Sequence, residues 1–147
     1  MTNDPTPRAT GGCLCGAVRY EIHGPLRPVV ACHCSQCRRT SGHYVAATAA
    51  RLEDFRLVKD EGLRWYQPDA IARRGFCGVC GSNLFWEPTQ GEQAGRQLSI
   101  MAGTLELSTG LRMVAHICVE DASDYYAVPE DAPHIHGPAH GVTIPDA

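Results

Sequence analysis

Helical periodicity is weak throughout these 147 residues. Few stretches repeat apolar residues at three- and four-residue spacing, which argues against a helical bundle. No apolar run approaches the roughly 18 residues that a membrane helix needs, so no membrane partner is expected. A basic excess is missing too. Thirteen Lys and Arg against sixteen Asp and Glu leave a formal net charge of -3, which gives no footprint for nucleic acid. Low-complexity segments and long repeats are absent. Residues 1–10 are polar, carry two prolines and lack an apolar h-region. They read as a disordered leader and not as a signal peptide. The expected location is cytoplasmic, where disulfides are rare. Eight cysteines are also too few for a disulfide scaffold of this length. The length suits one domain with one core.

The cysteines that are present are clustered. Ala31-Cys32-His33-Cys34-Ser35-Gln36-Cys37-Arg38-Arg39 packs three thiols and an imidazole into six positions and adds two guanidinium groups. Cys32 and Cys34 are two apart, so on an extended segment both point to one face. Cys34 and Cys37 are three apart, the spacing of a turn that chelates one ion. A zinc with three protein ligands keeps a fourth position for water or substrate.

In chain order, Gly11-Gly12-Cys13-Leu14-Cys15-Gly16 presents two thiols in a glycine-rich turn, and Ala17 to Ile22 alternates like a half-buried strand. Pro28 to Ala31 reads as a short strand delivering Cys32. Ser35 is the expected cap of a helical turn from Gln36 to Thr40, ended by Ser41-Gly42. Further strands are expected at Tyr44–Ala50, Phe55–Val58, Leu63–Gln67, Ile71–Phe76, Asn83–Glu87, Gln97–Ala102 and Met113–Val119, with Asp60-Glu61-Gly62 as a hairpin between the second and third of these. Thr104 to Leu111 is expected to hold a helical turn. Cys77-Gly78-Val79-Cys80-Gly81 is a two-thiol turn of the zinc-knuckle kind. From Tyr125 the chain is rich in Pro, His and Gly and reads as a mobile tail. There His134, His136 and His140 are incidental, or else form a third metal site. Many short strands with glycine turns make the chain mainly β.

Seven cysteines thus form three clusters. The simplest partition puts Cys13, Cys15, Cys77 and Cys80 into one closed site and leaves Cys32, Cys34 and Cys37 open. His33 or Cys118 could close the trio instead. His33 points away on an extended strand, and Cys118 in Ala115-His116-Ile117-Cys118-Val119 reads as a small buried hydrophobe.

These motifs carry a resemblance. Gly12-Cys13-Leu14-Cys15-Gly16 with Tyr20, Cys32 to Arg39, Phe76-Cys77-Gly78-Val79-Cys80-Gly81-Ser82 and His116-Ile117 resemble the glutathione-dependent formaldehyde-activating enzyme family, which includes the centromere protein V group. The likeness runs in one order over roughly residues 10 to 135. It implies a β-tent of packed antiparallel sheets stapled by zinc. It implies two zinc ions, one structural at Cys13, Cys15, Cys77 and Cys80, and one catalytic at Cys32, Cys34 and Cys37. One departure is Cys118, where many relatives have an aromatic residue. The expected organisation is a leader at 1–10, the zinc domain at 11–136 and a tail at 137–147.

Two functions are expected to compete. The first is a zinc-dependent carbon–sulfur lyase, forming or cleaving S-hydroxymethylglutathione or a related thiol adduct from formaldehyde. The second is a non-catalytic zinc protein that binds or carries glutathione or a protein partner. The expected partner is a small-molecule thiol such as glutathione, with a homo-oligomer left open. Its two carboxylates call for guanidinium groups. Arg38 and Arg39 follow the trio directly and are the first candidates, ahead of Arg73 and Arg74.

Overall fold

Alternation along the strands decides which way each side chain faces. The computed structural model describes residues 6–139 and 141–146. Its elements are β1 (Ala9–Gly12), β2 (Arg19–Ile22), β3 (Val29–Cys32), α1 (Ser35–Ser41), β4 (Val45–Arg51), β5 (Phe55–Lys59), β6 (Leu63–Tyr66), β7 (Ala72–Cys77), β8 (Asn83–Pro88), β9 (Gln97–Met101) and β10 (Met113–Ile117). Short 3-10 turns cover Leu52–Asp54, Ala102–Thr104 and Val119–Asp121. The chain is mainly β, with two packed sheets. The smaller has the order β1-β2-β5, and the larger β10-β3-β4-β9-β8-β7-β6.

The small sheet covers one face of the large one. Val18, Tyr20 and Ile22 meet Leu84, Phe85, Leu98 and Ile100 in a shared core. Tyr20 and Phe85 meet edge to face with ring centroids 5.4 Å apart, and Phe55 packs against both. The alternate residues Trp86 and Met101 point to the opposite face, with Val45 and Ala47. That second face carries α1 and a wide cleft.

Three local expectations change in the fold. Asp60 to Gly62 makes a tight turn, with Leu63 N donating to Asp60 O at 3.0 Å, but no hairpin. β5 pairs with β2 and β6 with β7, so the chain crosses between sheets there. Gly62 donates to Ala17 O and accepts from Gly78 N, which ties the turn to both outer cysteine turns. The sheets are antiparallel except where β10 runs parallel to β3. Ala9 and Thr10, expected in the leader, pair with Ile22 and Glu21 as strand β1; the leader's residues 1–5 lie outside the described residues.

The segment expected as a mobile tail is docked. His116 N donates to Pro133 O and Ile135 N to His116 O, which lays the chain along β10. Ile135, Ala139 and Val142 pack on Val30, Ala115 and Ile117, so packing continues past the boundary expected at residue 136. Burying these apolar groups outweighs the weak local preferences of a Pro- and Gly-rich sequence. No third metal cluster forms among the described residues. His134 Nε2 donates to Pro129 O, and His140 lies outside the described residues. No helix among them is long and apolar enough to cross a membrane.

Candidate metal centres and the cleft beside them

Two similar turns build the first centre. Each pair of thiols is followed by a glycine at positive φ, Gly16 at 85° and Gly81 at 83°, a conformation that costs glycine little. Cys13 N donates to Val18 O, and Cys77 N to Ser82 O, closing the two turns. The four sulfurs of Cys13, Cys15, Cys77 and Cys80 lie within 4.8 Å of one another. Cys13 and Cys15 are 3.7 Å apart, Cys15 and Cys77 3.8 Å. Sulfurs held about 2.3 Å from a tetrahedral zinc stand about 3.8 Å apart, so this donor set fits such an ion. Backbone N–H groups already point at the sulfurs: Val18 N at Cys13, and Val79 N and Cys80 N at Cys77. The Ser82 hydroxyl, 3.1 Å from Cys80 Sγ, draws that thiol's pKa down to about 5.

The second centre joins the end of β3 to α1. Cys32, Cys34 and Cys37 bring their sulfurs within 4.8 Å of one another, and no fourth His, Cys, Asp or Glu atom completes the group among the described residues. The helix begins one residue earlier than expected. Its cap is Cys34, whose Sγ accepts from Cys37 N at 3.3 Å; Ser35 is already inside the helix. The cap is therefore itself a member of the trio, and the N-terminal dipole favours its thiolate. Cys32 and Cys37 crowd Cys34 and hold its pKa well below the ordinary thiol range, while their own values are pushed up. Three thiols that share protons so closely suit a cation that replaces those protons.

His33 does not close the trio. It is fully buried, and both ring nitrogens are engaged, Nδ1 with the Tyr126 hydroxyl at 2.5 Å and Nε2 with His116 Nδ1 at 3.0 Å. His116 Nε2 in turn donates to Asp131 at 2.8 Å. Burial and the neighbouring His116 push the His33 pKa down to about 4, so the ring is neutral at pH 7. Cys118 is also outside the trio. It sits at a left-handed φ of 53° just after β10, and its Sγ donates to Gly137 O at 3.4 Å. Replacing His33 with alanine is expected to cost on the order of 3 kcal/mol, through a cavity and stranded partners. Metal content should match that of the wild type. Denaturant titration and elemental analysis of the same sample check both, and metal content below the wild-type value would make His33 a ligand after all.

The trio opens into a cleft of about 1470 Å³ on the second face of the large sheet. Trp86 and Met101 line its floor, and residues 138–139 and 141–144 of the docked segment form a wall. Arg51 holds that segment by donating to Pro145 O at 3.1 Å. The cations of the cleft differ from those expected. Arg38 and Arg39 do not line it. They lie one and two positions past Cys37, about 100° and 200° round the helix from the buried thiol. Arg73 also points elsewhere, 3.8 Å over the Trp65 ring and paired with Glu87 at 2.6 Å. Arg74, on the alternate face of β7, does line the cleft; it is only 5% exposed and donates to Gln36 Oε1 at 3.3 Å and Cys37 Sγ at 3.8 Å. Arg27, which sequence reasoning missed, donates to Ala47 O at 3.0 Å beneath the cleft, and burial lowers its pKa to about 10. The one usable signal was strand alternation, which puts Arg73 and Arg74 on opposite faces.

Comparison with known proteins agrees with this architecture. An uncharacterised lyase of Schizosaccharomyces pombe is 26% identical over 121 residues, covering 82% of this chain and 85% of the yeast protein. A crystal structure of a Rhodobacter sphaeroides protein superposes with a TM-score of 0.57 at 27% identity, covering 85% of this chain and 98% of that one. The family profile described as glutathione-dependent formaldehyde-activating enzyme matches residues 8–121. With both cysteine centres and the paired sheets inside that span, the chain belongs to the glutathione-dependent formaldehyde-activating enzyme family.

Proposed function

We propose that this protein is a zinc-dependent carbon–sulfur lyase that forms or cleaves S-hydroxymethylglutathione or a closely related thiol adduct. The observation that carries it is the Cys32–Cys34–Cys37 trio, three sulfurs without a fourth protein ligand among the described residues, facing a cleft of about 1470 Å³. Family membership and the lyase name of the yeast relative support the reaction class. In this reading Cys13, Cys15, Cys77 and Cys80 hold a structural zinc, and the trio holds a second one. Held by Cys32, Cys34 and Cys37, that ion would supply thiol activation, which a free thiol with pKa near 8.5 needs at neutral pH.

The reaction balances simply. The thiolate sulfur adds to the carbonyl carbon of formaldehyde, one S–C bond forms, and the C=O π bond breaks. The proton lost by the thiol ends on the new hydroxyl. Cleavage is the reverse. This chain's residues hold the thiol beside the trio, and the apolar floor at Trp86 and Met101 limits water around it.

Exchange NMR of glutathione, formaldehyde and S-hydroxymethylglutathione near equilibrium tests the proposal. The protein loaded with two zinc ions should raise the exchange rate above the protein-free background. Corrections for formaldehyde consumed by Cys118 and surface amines are needed. Binding of glutathione with exchange at background would leave the carrier alternative. Absence of both would point to another thiol or a protein partner.

A further inference from the structure

Arg74 and Asn83 share an unusual condition. Arg74 Nη1 and Asn83 Nδ2 are both buried N–H donors without a partner. Buried donors are normally satisfied, and leaving one unpaired is costly. Both residues line the same small cavity of about 320 Å³, between β6, β7, β8 and the end of α1. Arg74 also lines the large cleft and reaches Cys37 Sγ with its other terminal nitrogen. The guanidinium thus bridges the trio and this cavity. No acidic side chain lines the cavity; on the cleft side Arg74 has Asp69 as an acidic neighbour, linked to it through Gln36.

We propose that Arg74 and Asn83 form an anion subsite beside the trio, which takes a carboxylate of the thiol substrate. It rests on the thiol-adduct reading above and narrows the substrate class to thiols that carry a carboxylate. Arg74 Nη1 offers a charge-assisted donor to a carboxylate, and the Asn83 amide N–H adds a second. The carboxylate would meet both orphaned donors at once. A thiolate delivered to the trio adds negative charge next to Cys37, and Arg74 is the cation placed to offset both. Arg38 also keeps a buried unpartnered donor, Nε, but neither it nor Arg39 lines the cavity or the cleft.

Calorimetric titration of the two-zinc protein with glutathione and with 2-mercaptoethanol, which has no carboxylate, separates the contributions. Asn83→Asp places a carboxylate of nearly the same shape against Arg74. It should weaken glutathione at least tenfold and change 2-mercaptoethanol less than twofold. Asn83→Ala should show the same selectivity with a smaller factor. Arg74→Lys keeps the charge but loses the fork, and should fall between. Unchanged zinc content and melting temperature identify folded variants. Equal weakening of both thiols, no weakening of either, or wild-type protein that binds glutathione no tighter than 2-mercaptoethanol overturns the subsite. Selective loss together with background exchange would sink the lyase reading and keep the subsite. Normal exchange with unselective variants would do the reverse.

Discussion

Replacing Cys77 with serine is expected to leave no soluble folded protein. Cys77 is fully buried within the main core, 3.8 Å from Cys15 Sγ. It ends β7, while Cys13 and Cys15 precede β2, so this centre joins the two sheets at one edge of their shared core. A structural zinc can supply about 10–16 kcal/mol of folding free energy, comparable to the roughly 5–15 kcal/mol that holds a whole domain together. Serine offers a harder oxygen that remains protonated at neutral pH, and its hydroxyl would be buried where two backbone N–H groups now meet a sulfur. The soluble fraction after expression and the circular dichroism of refolded material with excess zinc measure the outcome. A cooperative melt within a few degrees of wild type would show that the four-cysteine centre is dispensable to the fold.

Replacing Cys34 with serine is expected to do the opposite: it spares the fold and removes the activity. Serine is a good helix cap and can accept from Cys37 N as the cysteine does. α1 should therefore survive. What disappears is one of the three thiols, and with it the second ion that the proposed function places there. Elemental analysis should fall from two ions per chain to one. The melting temperature should shift little, because this centre involves only the end of β3 and one short helix. The exchange rate between glutathione, formaldehyde and their adduct should drop to the protein-free background, since thiol activation is assigned to this metal. Retained exchange in a one-zinc protein would place the chemistry elsewhere. A melt lowered more than that of Cys77→Ser would mean that the structural and functional roles are exchanged between the centres.

Much of the thiol clustering was legible because it is local. Spacings of two and three residues fix which way neighbouring thiols can point, whatever the rest of the chain does. The three short clusters follow from that; joining Cys13 and Cys15 to Cys77 and Cys80 was the simplest partition of them, and the sulfurs do gather so. The strands were legible for the same reason: nine of them fall on stretches of alternating or β-branched residues. β1 was missed because Ala9, Thr10, Gly11 and Gly12 have no strand signature of their own; it exists because β2 offers it an edge.

What the sequence by itself determined is the set of thiols, their three short clusters and the mainly β character, all properties of segments a few residues long. Tertiary structure alone decided which cation faces the trio, because Arg74 gains its position from the register of β7 against β8. It decided that β10 lies parallel to β3 and that the Pro- and His-rich segment becomes a wall of the cleft. Those outcomes depend on which distant surfaces bury each other. Burial is a sum over the whole core, and no local spacing encodes it.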